Sequence, residues 1–277
     1  MSPVSQLPNS PTLPPSPWII YPQVSPRTNT QPNREPQTTS KVRLFCFPYA
    51  GGGASAFRSW ANELPPTVEL ACIQLPGRET RIRETPIANL PDLIQHLKPA
   101  ILPHLTLPFA FFGHSMGALI AFELTRSLHH TQSPLPQHLF VSACRAPQLP
   151  RHTPPRHTLS TSELIAELHR LKGTPAEILN NNELMELLLP TIKADFGVVD
   201  TYIYRTQPPL PLSLKALGGQ EDSEVSPEQL FPWHKQSTSE FSSHIFPGDH
   251  FFIQQRQSSV LNRILATLTS SSRLPWQ

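Results

Sequence analysis

The apolar residues of this chain fall into short runs separated by breaks marked with glycine and proline. Lys41–Phe47 reads as a strand, followed at once by Pro48-Tyr49-Ala50-Gly51-Gly52-Gly53. Ala54–Leu64 places Phe57, Trp60 and Leu64 at helical spacing, and Val68–Leu75 is a second strand run closed by Pro76-Gly77. Leu90–Leu102 predicts a helix. Leu107–Phe112 is almost wholly apolar, the pattern of a strand buried on both faces. Leu119–Leu128 carries a helical stripe at 119, 120, 124 and 128, and Leu139–Cys144 is strand again. Strand alternating with helix, with Gly or Pro at the joints, predicts an α/β fold whose mostly parallel central sheet is flanked by helices.

Residues 150–212 break the alternation. Glu163–Leu171, Glu183–Thr191 and Ile192–Tyr204 read as three helices, with no buried strand run among them. A helical insertion of this size predicts a lid over a site. The α/β texture returns at Leu214–Leu217 and His244–Phe246, and Ser258–Leu268 predicts a closing helix. Toward the other end, Trp18–Tyr21 is a candidate edge strand and residues 22–40 a polar loop. Residues 1–16 form a Pro/Ser-rich tail of polyproline character. The expected organisation is that tail, then one domain over 17–277 with the lid at about 150–212.

Composition changes this picture little. There are 34 prolines in 277 residues, well above the usual share of roughly 5%. Ten of them lie in residues 1–40, and many others mark strand ends and turns, where proline costs little. The net charge of +2 and the absence of like-charge blocks predict no nucleic-acid partner and no polybasic membrane patch. No apolar run approaches the ~18 residues of a membrane span, and the first 17 residues hold no Lys or Arg of a secretory signal, so a cytoplasmic protein is expected. Cys46, Cys72 and Cys144 form no CxxC pair, so they read as small buried residues rather than as disulfide or zinc ligands.

The chemistry centres on Gly113-His114-Ser115-Met116-Gly117, a G-x-S-x-G placed directly after a buried strand and directly before a helix. That is the context of a nucleophile elbow, whose sharp turn presents the serine hydroxyl. Ser115 needs a base, and in the fold that carries this elbow the chain order is Ser, acid, His. His250, in Phe246–Phe252 just past a strand, occupies the place of the base. Asp222, in a G-x-x-D-x-x-V segment after the Leu214–Leu217 strand, is the acid, with Glu221 and Glu224 as neighbouring alternatives. Residues 139–162 contain no Asp or Glu that could serve after the preceding strand. An oxyanion hole takes one N–H from the residue after the nucleophile, Met116, and one from the loop after Lys41–Phe47. Pro48 has no N–H, which leaves Tyr49, Ala50 and Gly51; Ala50 is selected. Gly51–Gly53 lacks the Lys-Ser/Thr of a phosphate loop.

With these residues assembled, the chain resembles the type II thioesterases of nonribosomal peptide and polyketide synthesis, members of the α/β-hydrolase fold. The resemblance rests on Arg43–Trp60, Gln74–Arg78, Phe112–Ala118, the Arg145-Ala146-Pro147 turn, Gly218–Pro227 and Phe246–Phe252, and it spans about residues 17–270. It implies a Ser115–Asp222–His250 triad, oxyanion donors on the backbones of Ala50 and Met116, and hydrolysis of acyl groups from the phosphopantetheine arm of a carrier-protein partner. The acyl group is carried by that partner, so the chain is expected to need no cofactor and no metal and to act as a monomer. Arg78 and Tyr49 are candidate substrate contacts; Arg78 could anchor the wall of the site or be a plain surface arginine, while Phe57 and Trp60 read as core. Leu164, Leu168, Leu187, Leu188 and Leu189 could line an acyl channel or only pack the lid helices together. Two readings stand beside this one: a general esterase or acyltransferase, and a non-catalytic carrier-binding module.

Overall fold

The computed structural model describes residues 15–23, 42–151 and 153–271, so the predicted tail lies outside it up to residue 14, as does most of the predicted 22–40 loop. Seven strands form one sheet: β1 (Ile19–Ile20), β2 (Val42–Phe47), β3 (Val68–Ile73), β4 (Phe109–His114), β5 (His138–Ser142), β6 (Ser213–Gly219) and β7 (Phe241–Phe246). Their spatial order is β1-β3-β2-β4-β5-β6-β7. Strands β2 to β7 pair in parallel, and only β1 runs antiparallel, against β3. Every predicted strand is present.

The helices α1 (Leu90–Ile101), α2 (Met116–His130), α3 (Thr161–Leu171), α4 (Ala176–Leu179), α5 (Asn182–Asp200), α6 (Pro227–Leu230), α7 (Phe252–Gln255) and α8 (Gln257–Ser271) connect or cover the strands. Alternate residues of β4 feed opposite faces, as the period of a strand requires. Phe109 and Phe111 join Phe45, Phe47 and the apolar stripes of α1 and α2. Ala110 and Phe112 join Leu44, Cys46, Phe57, Trp60 and the inner face of α8. The continuous apolar run of β4 is thus a consequence of helices on both faces.

Two expectations need correction. The predicted Ala54–Leu64 helix is a 3-10 helix over Ala54–Asn62. Its buried Ala54, Phe57 and Trp60 are spaced by three, the repeat that a 3-10 helix stacks on one face. Glu183–Thr191 and Ile192–Tyr204 are not two helices but the single α5, which passes through Pro190. Pro190 and the carbonyl-bearing Glu186 one turn earlier both lie on the exposed face, where water can serve the freed carbonyl. Helix α1 tolerates Pro99 in the same way, above the exposed Gln95.

Between β5 and β6 the insertion builds its own small core. Leu164 and Leu168 of α3 meet Leu179 of α4 and Met185, Leu189, Ile192 and Phe196 of α5. Helix α3 opens on a capping box in which Ser160 and Glu163 satisfy each other's backbone N–H groups. Among the described residues no helix is long and apolar enough to cross a membrane.

Phe112 packs 4.9 Å from the Trp60 ring and 6.0 Å from Phe57, beneath the 3-10 helix. Phe112→Ala is expected to cost about 3–5 kcal/mol, read as a lower urea midpoint at unchanged slope.

Candidate active site

The turn from β4 into α2 carries Ser115 at φ 53° and ψ −116°, a strained conformation for a residue with a side chain. Its neighbours explain how it is held. A Cβ on Gly113 would lie 2.2 Å from the Gly117 carbonyl oxygen, and one on Gly117 would lie 2.0 Å from the Phe47 carbonyl oxygen. Any other residue at either position would push the helix off the sheet. The Ser115 N–H donates to the Ser142 carbonyl at 2.7 Å, pinning the turn to β5. Met116 begins α2, so its N–H has no carbonyl one turn earlier and lies at the positive end of the helix.

His250 bridges the serine and the acid. Its Nε2 is 3.0 Å from Ser115 Oγ, and its Nδ1 is 2.9 Å and 3.1 Å from the two carboxylate oxygens of Asp222. With the proton on Nδ1 directed at the carboxylate, the Nε2 lone pair faces the hydroxyl, the arrangement that turns a serine into a nucleophile. Asp222 is itself fixed: Oδ1 accepts the N–H groups of Glu224 at 2.8 Å and Val225 at 3.1 Å. Its carboxylate has no exposed surface.

The alternative acids are occupied elsewhere. Glu221 accepts the Gly248 N–H, tying the loop after β6 to the loop after β7. Glu224 receives Arg156 and, at 2.6 Å, Arg170. Asp249 accepts the Phe251 N–H at 2.9 Å within its own turn. His114 lies under the site with Nδ1 2.9 Å from Ser142 Oγ. Burial above all, and then the charge of nearby His250, pushes its pKa well below the ordinary imidazole value. His114 is therefore neutral at pH 7, and His250 is the imidazole in contact with Ser115.

Ser115, Met116, Ala50 and His250 line one cavity of about 200 Å³, together with Cys144, Leu168, Phe196 and Tyr202. Of the three candidate donors in the loop after β2, Gly51 is spent on Asp195, at 2.7 Å from its Oδ2. Ala50, like Met116, lines the cavity. Tyr49 lines the cavity too; its hydroxyl accepts from Gln254 at 3.1 Å, and burial raises its pKa so that it stays protonated.

Arg78 is buried, which sets aside the surface reading and fits that of an anchor. It is not among the residues that line the cavity, and it forms two 2.7 Å bonds to the carboxylate of Asp195 and a 2.9 Å bond to the Gly52 carbonyl. Asp195 itself went unmarked in the sequence; an acid between Ala194 and Phe196 on the buried face of a helix was the available signal. Phe57 and Trp60 are core, as expected. Among the five insertion leucines, Leu168 reaches the cavity, Leu164 and Leu189 pack the insertion core, Leu188 borders it, and Leu187 faces solvent. Cys46 and Cys72 are buried, but Cys144 is only partly so because it lines the cavity. Among the described residues no cluster of His, Cys, Asp or Glu is placed to hold a metal ion.

A mostly parallel α/β sheet with an elbow serine, and with acid and histidine on later loops at the same edge, defines an α/β-hydrolase. The chain belongs to the thioesterase family: the model of the thioesterase domain matches residues 42–268. It is 43% identical to the gramicidin S biosynthesis protein GrsT of Aneurinibacillus migulanus, over 83% of this chain and 90% of that protein. It is 35% identical to thioesterase PikA5 of Streptomyces venezuelae, over 83% of this chain and 82% of that one. The solved structure of the type II thioesterase BorB, from the borrelidin biosynthetic cluster, superposes with a TM-score of 0.78 at 33% identity, covering 90% of this chain and 97% of that one. The activity that follows from the family is thioester hydrolysis.

The Glu224 carboxyl carries a pH signature. Burial alone would raise its pKa, but Arg170 and Arg156 overcome this and hold it below 4.5. A depressed folded pKa stabilises the fold above the unfolded value and loses that contribution as pH falls through the folded value. Glu224→Gln is expected to lower the melting temperature at neutral pH and to flatten its decline between about pH 5 and pH 3, measured by calorimetry.

Proposed function

We propose that the protein clears acyl groups from the phosphopantetheine arm of carrier proteins in a nonribosomal peptide or polyketide pathway, through an acyl-enzyme on Ser115. The observation that carries this reading is the unbroken Ser115–His250–Asp222 hydrogen-bond chain, opening on a cavity in a thioesterase-family chain. GrsT and BorB, whose names place them in gramicidin S and borrelidin biosynthesis, support the class of pathway. In this proposal the protein acts as a monomer in the cytoplasm.

In this mechanism Ser115 Oγ attacks the thioester carbonyl while His250 Nε2 takes its proton. Negative charge on the carbonyl oxygen is met by the N–H groups of Ala50 and Met116. The carbon–sulfur bond then breaks and His250 returns the proton to the leaving sulfur. Water repeats the sequence: its oxygen attacks the acyl carbon as His250 takes its proton, the carbon–oxygen bond to Ser115 breaks, His250 returns that proton to Ser115 Oγ, and the carboxylic acid departs. Asp222 holds the imidazole tautomer and balances the imidazolium formed in each half.

Ser115→Ala is expected to abolish both labelling by a fluorophosphonate and release of acid from an acyl-carrier substrate. Asp222→Asn is expected to lower kcat by about 10⁴-fold while leaving the fold intact by circular dichroism. Matched acyl-pantetheine thioesters and oxygen esters should be cleaved in favour of the thioester. A clear preference for the oxygen ester would replace this reading with a general esterase.

A further inference from the structure

The loop that bears Ala50 is not held by the sheet alone. The Gly52 N–H donates to the Tyr49 carbonyl at 2.9 Å, closing a four-residue turn with Ala50 and Gly51 at its centre. Gly51 sits at φ 78°, the left-handed value that the third position of a type II turn demands. The peptide between Ala50 and Gly51 is then fixed from outside the turn, by the 2.7 Å bond from the Gly51 N–H to Asp195 Oδ2. Asp195 belongs to α5, in the insertion, 144 residues further along the chain.

The carboxylate is committed to this task by its surroundings. Asp195 and Arg78 side chains are 2% and 5% exposed and form a two-pronged pair. Such a buried pair is costly to break from one side, so Arg78 holds the Asp195 carboxylate in place. Arg78 also grips the same turn directly, through the Gly52 carbonyl. One helical turn before Asp195, the Thr191 hydroxyl donates to the Gly77 carbonyl at 2.6 Å, joining α5 to the loop that carries Arg78. Helix α5, the Arg78 loop and the turn around Ala50 are therefore one hydrogen-bonded unit.

We propose that Asp195 is a positioning residue for the reaction: from the insertion, with Arg78 as its clamp, it holds the turn in which the Gly52-to-Tyr49 bond orients the Tyr49–Ala50 peptide and so directs the Ala50 N–H. The oxyanion hole is thereby assembled only while α5 is seated. This rests on the hydrolytic reading of Ser115 given above. It assigns to Asp195 an effect on the transition state and none on the binding of the substrate ground state.

The test uses the full-length protein and a soluble acyl-pantetheine thioester. The paired change Asp195→Leu with Arg78→Met removes the acceptor while replacing a buried ion pair by apolar volume, a substitution that folds commonly tolerate. Its kcat is expected to fall by about 10²-fold or more, the usual loss for one oxyanion donor, with KM within about threefold. A boronic acid that forms a tetrahedral adduct with Ser115 should weaken by a similar factor, while the free acid product binds as before. Asp195→Asn keeps one acceptor oxygen for two donors and should lie between wild type and the pair; if the pair does not fold, this variant alone decides. Unchanged kcat and boronate affinity in a folded variant would overturn the proposal. So would a loss of activity lying entirely in KM. Failure of the wild-type protein to cleave the thioester would instead overturn the hydrolytic reading itself.

Discussion

Two stretches of main chain come closer here than any side chain permits, and the site is built around that contact. Gly117, in the first turn of α2, passes against the carbonyl of Phe47, the last residue of β2. The strands that feed this crossing are neighbours in parallel register, with Phe47 opposite Gly113. Because they are parallel, the loop bearing Ala50 and the elbow bearing Ser115 leave the sheet at the same edge, side by side. The same holds farther along: β6 and β7 are paired from Leu214 opposite Phe241 to Gly219 opposite Phe246, so the loops bearing Asp222 and His250 emerge together. Parallel pairing thus brings four loops, remote in sequence, to one crevice at the carboxyl ends of the strands.

The insertion adds charge to this geometry. Arg156 and Arg170, one before α3 and one on it, both reach Glu224, two residues past the acid of the relay. Helix α5 reaches the other side of the site through Asp195. Buried charges are expensive to leave unpaired, so the Asp195 contact, whose carboxylate is buried against Arg78, resists partial opening. Two of the insertion's anchors thus lie next to different parts of the chemistry.

Much of this was legible in the residues. The elbow motif, the buried run before it and the order of acid and histidine placed Ser115, Asp222 and His250, because the local pattern there leaves little choice of backbone. What stayed hidden depends on distant partners. For Arg78 the sequence leaves substrate contact, wall anchor and surface residue open, because nothing near it in sequence shows the carboxylate that consumes it. Asp195 looked like one more polar residue of a helix until α5 was folded down onto the turn around Ala50. The unbroken path of α5 through Pro190 was hidden for a related reason: a proline ends a helix on propensity grounds, and only its exposed placement spares it. Ala54–Asn62 showed its buried face correctly, but three-residue spacing alone does not declare a 3-10 ladder.

The short β1 has a bearing on where this protein can be cut. Ile19 and Ile20 cover the outer edge of β3, and the Gln74 N–H donates to the Trp18 carbonyl at 2.8 Å. The Trp18 ring carries the Arg81 guanidinium 4.1 Å from its centre, just beyond the loop that holds Arg78. Without this segment, β3 would be a bare edge strand with unpaired backbone groups, the kind of surface along which chains stack on one another. The family match begins at residue 42 and so leaves this seal out. A domain trimmed to the matched residues would keep every residue of the hydrolytic site and leave the outer edge of β3 uncovered.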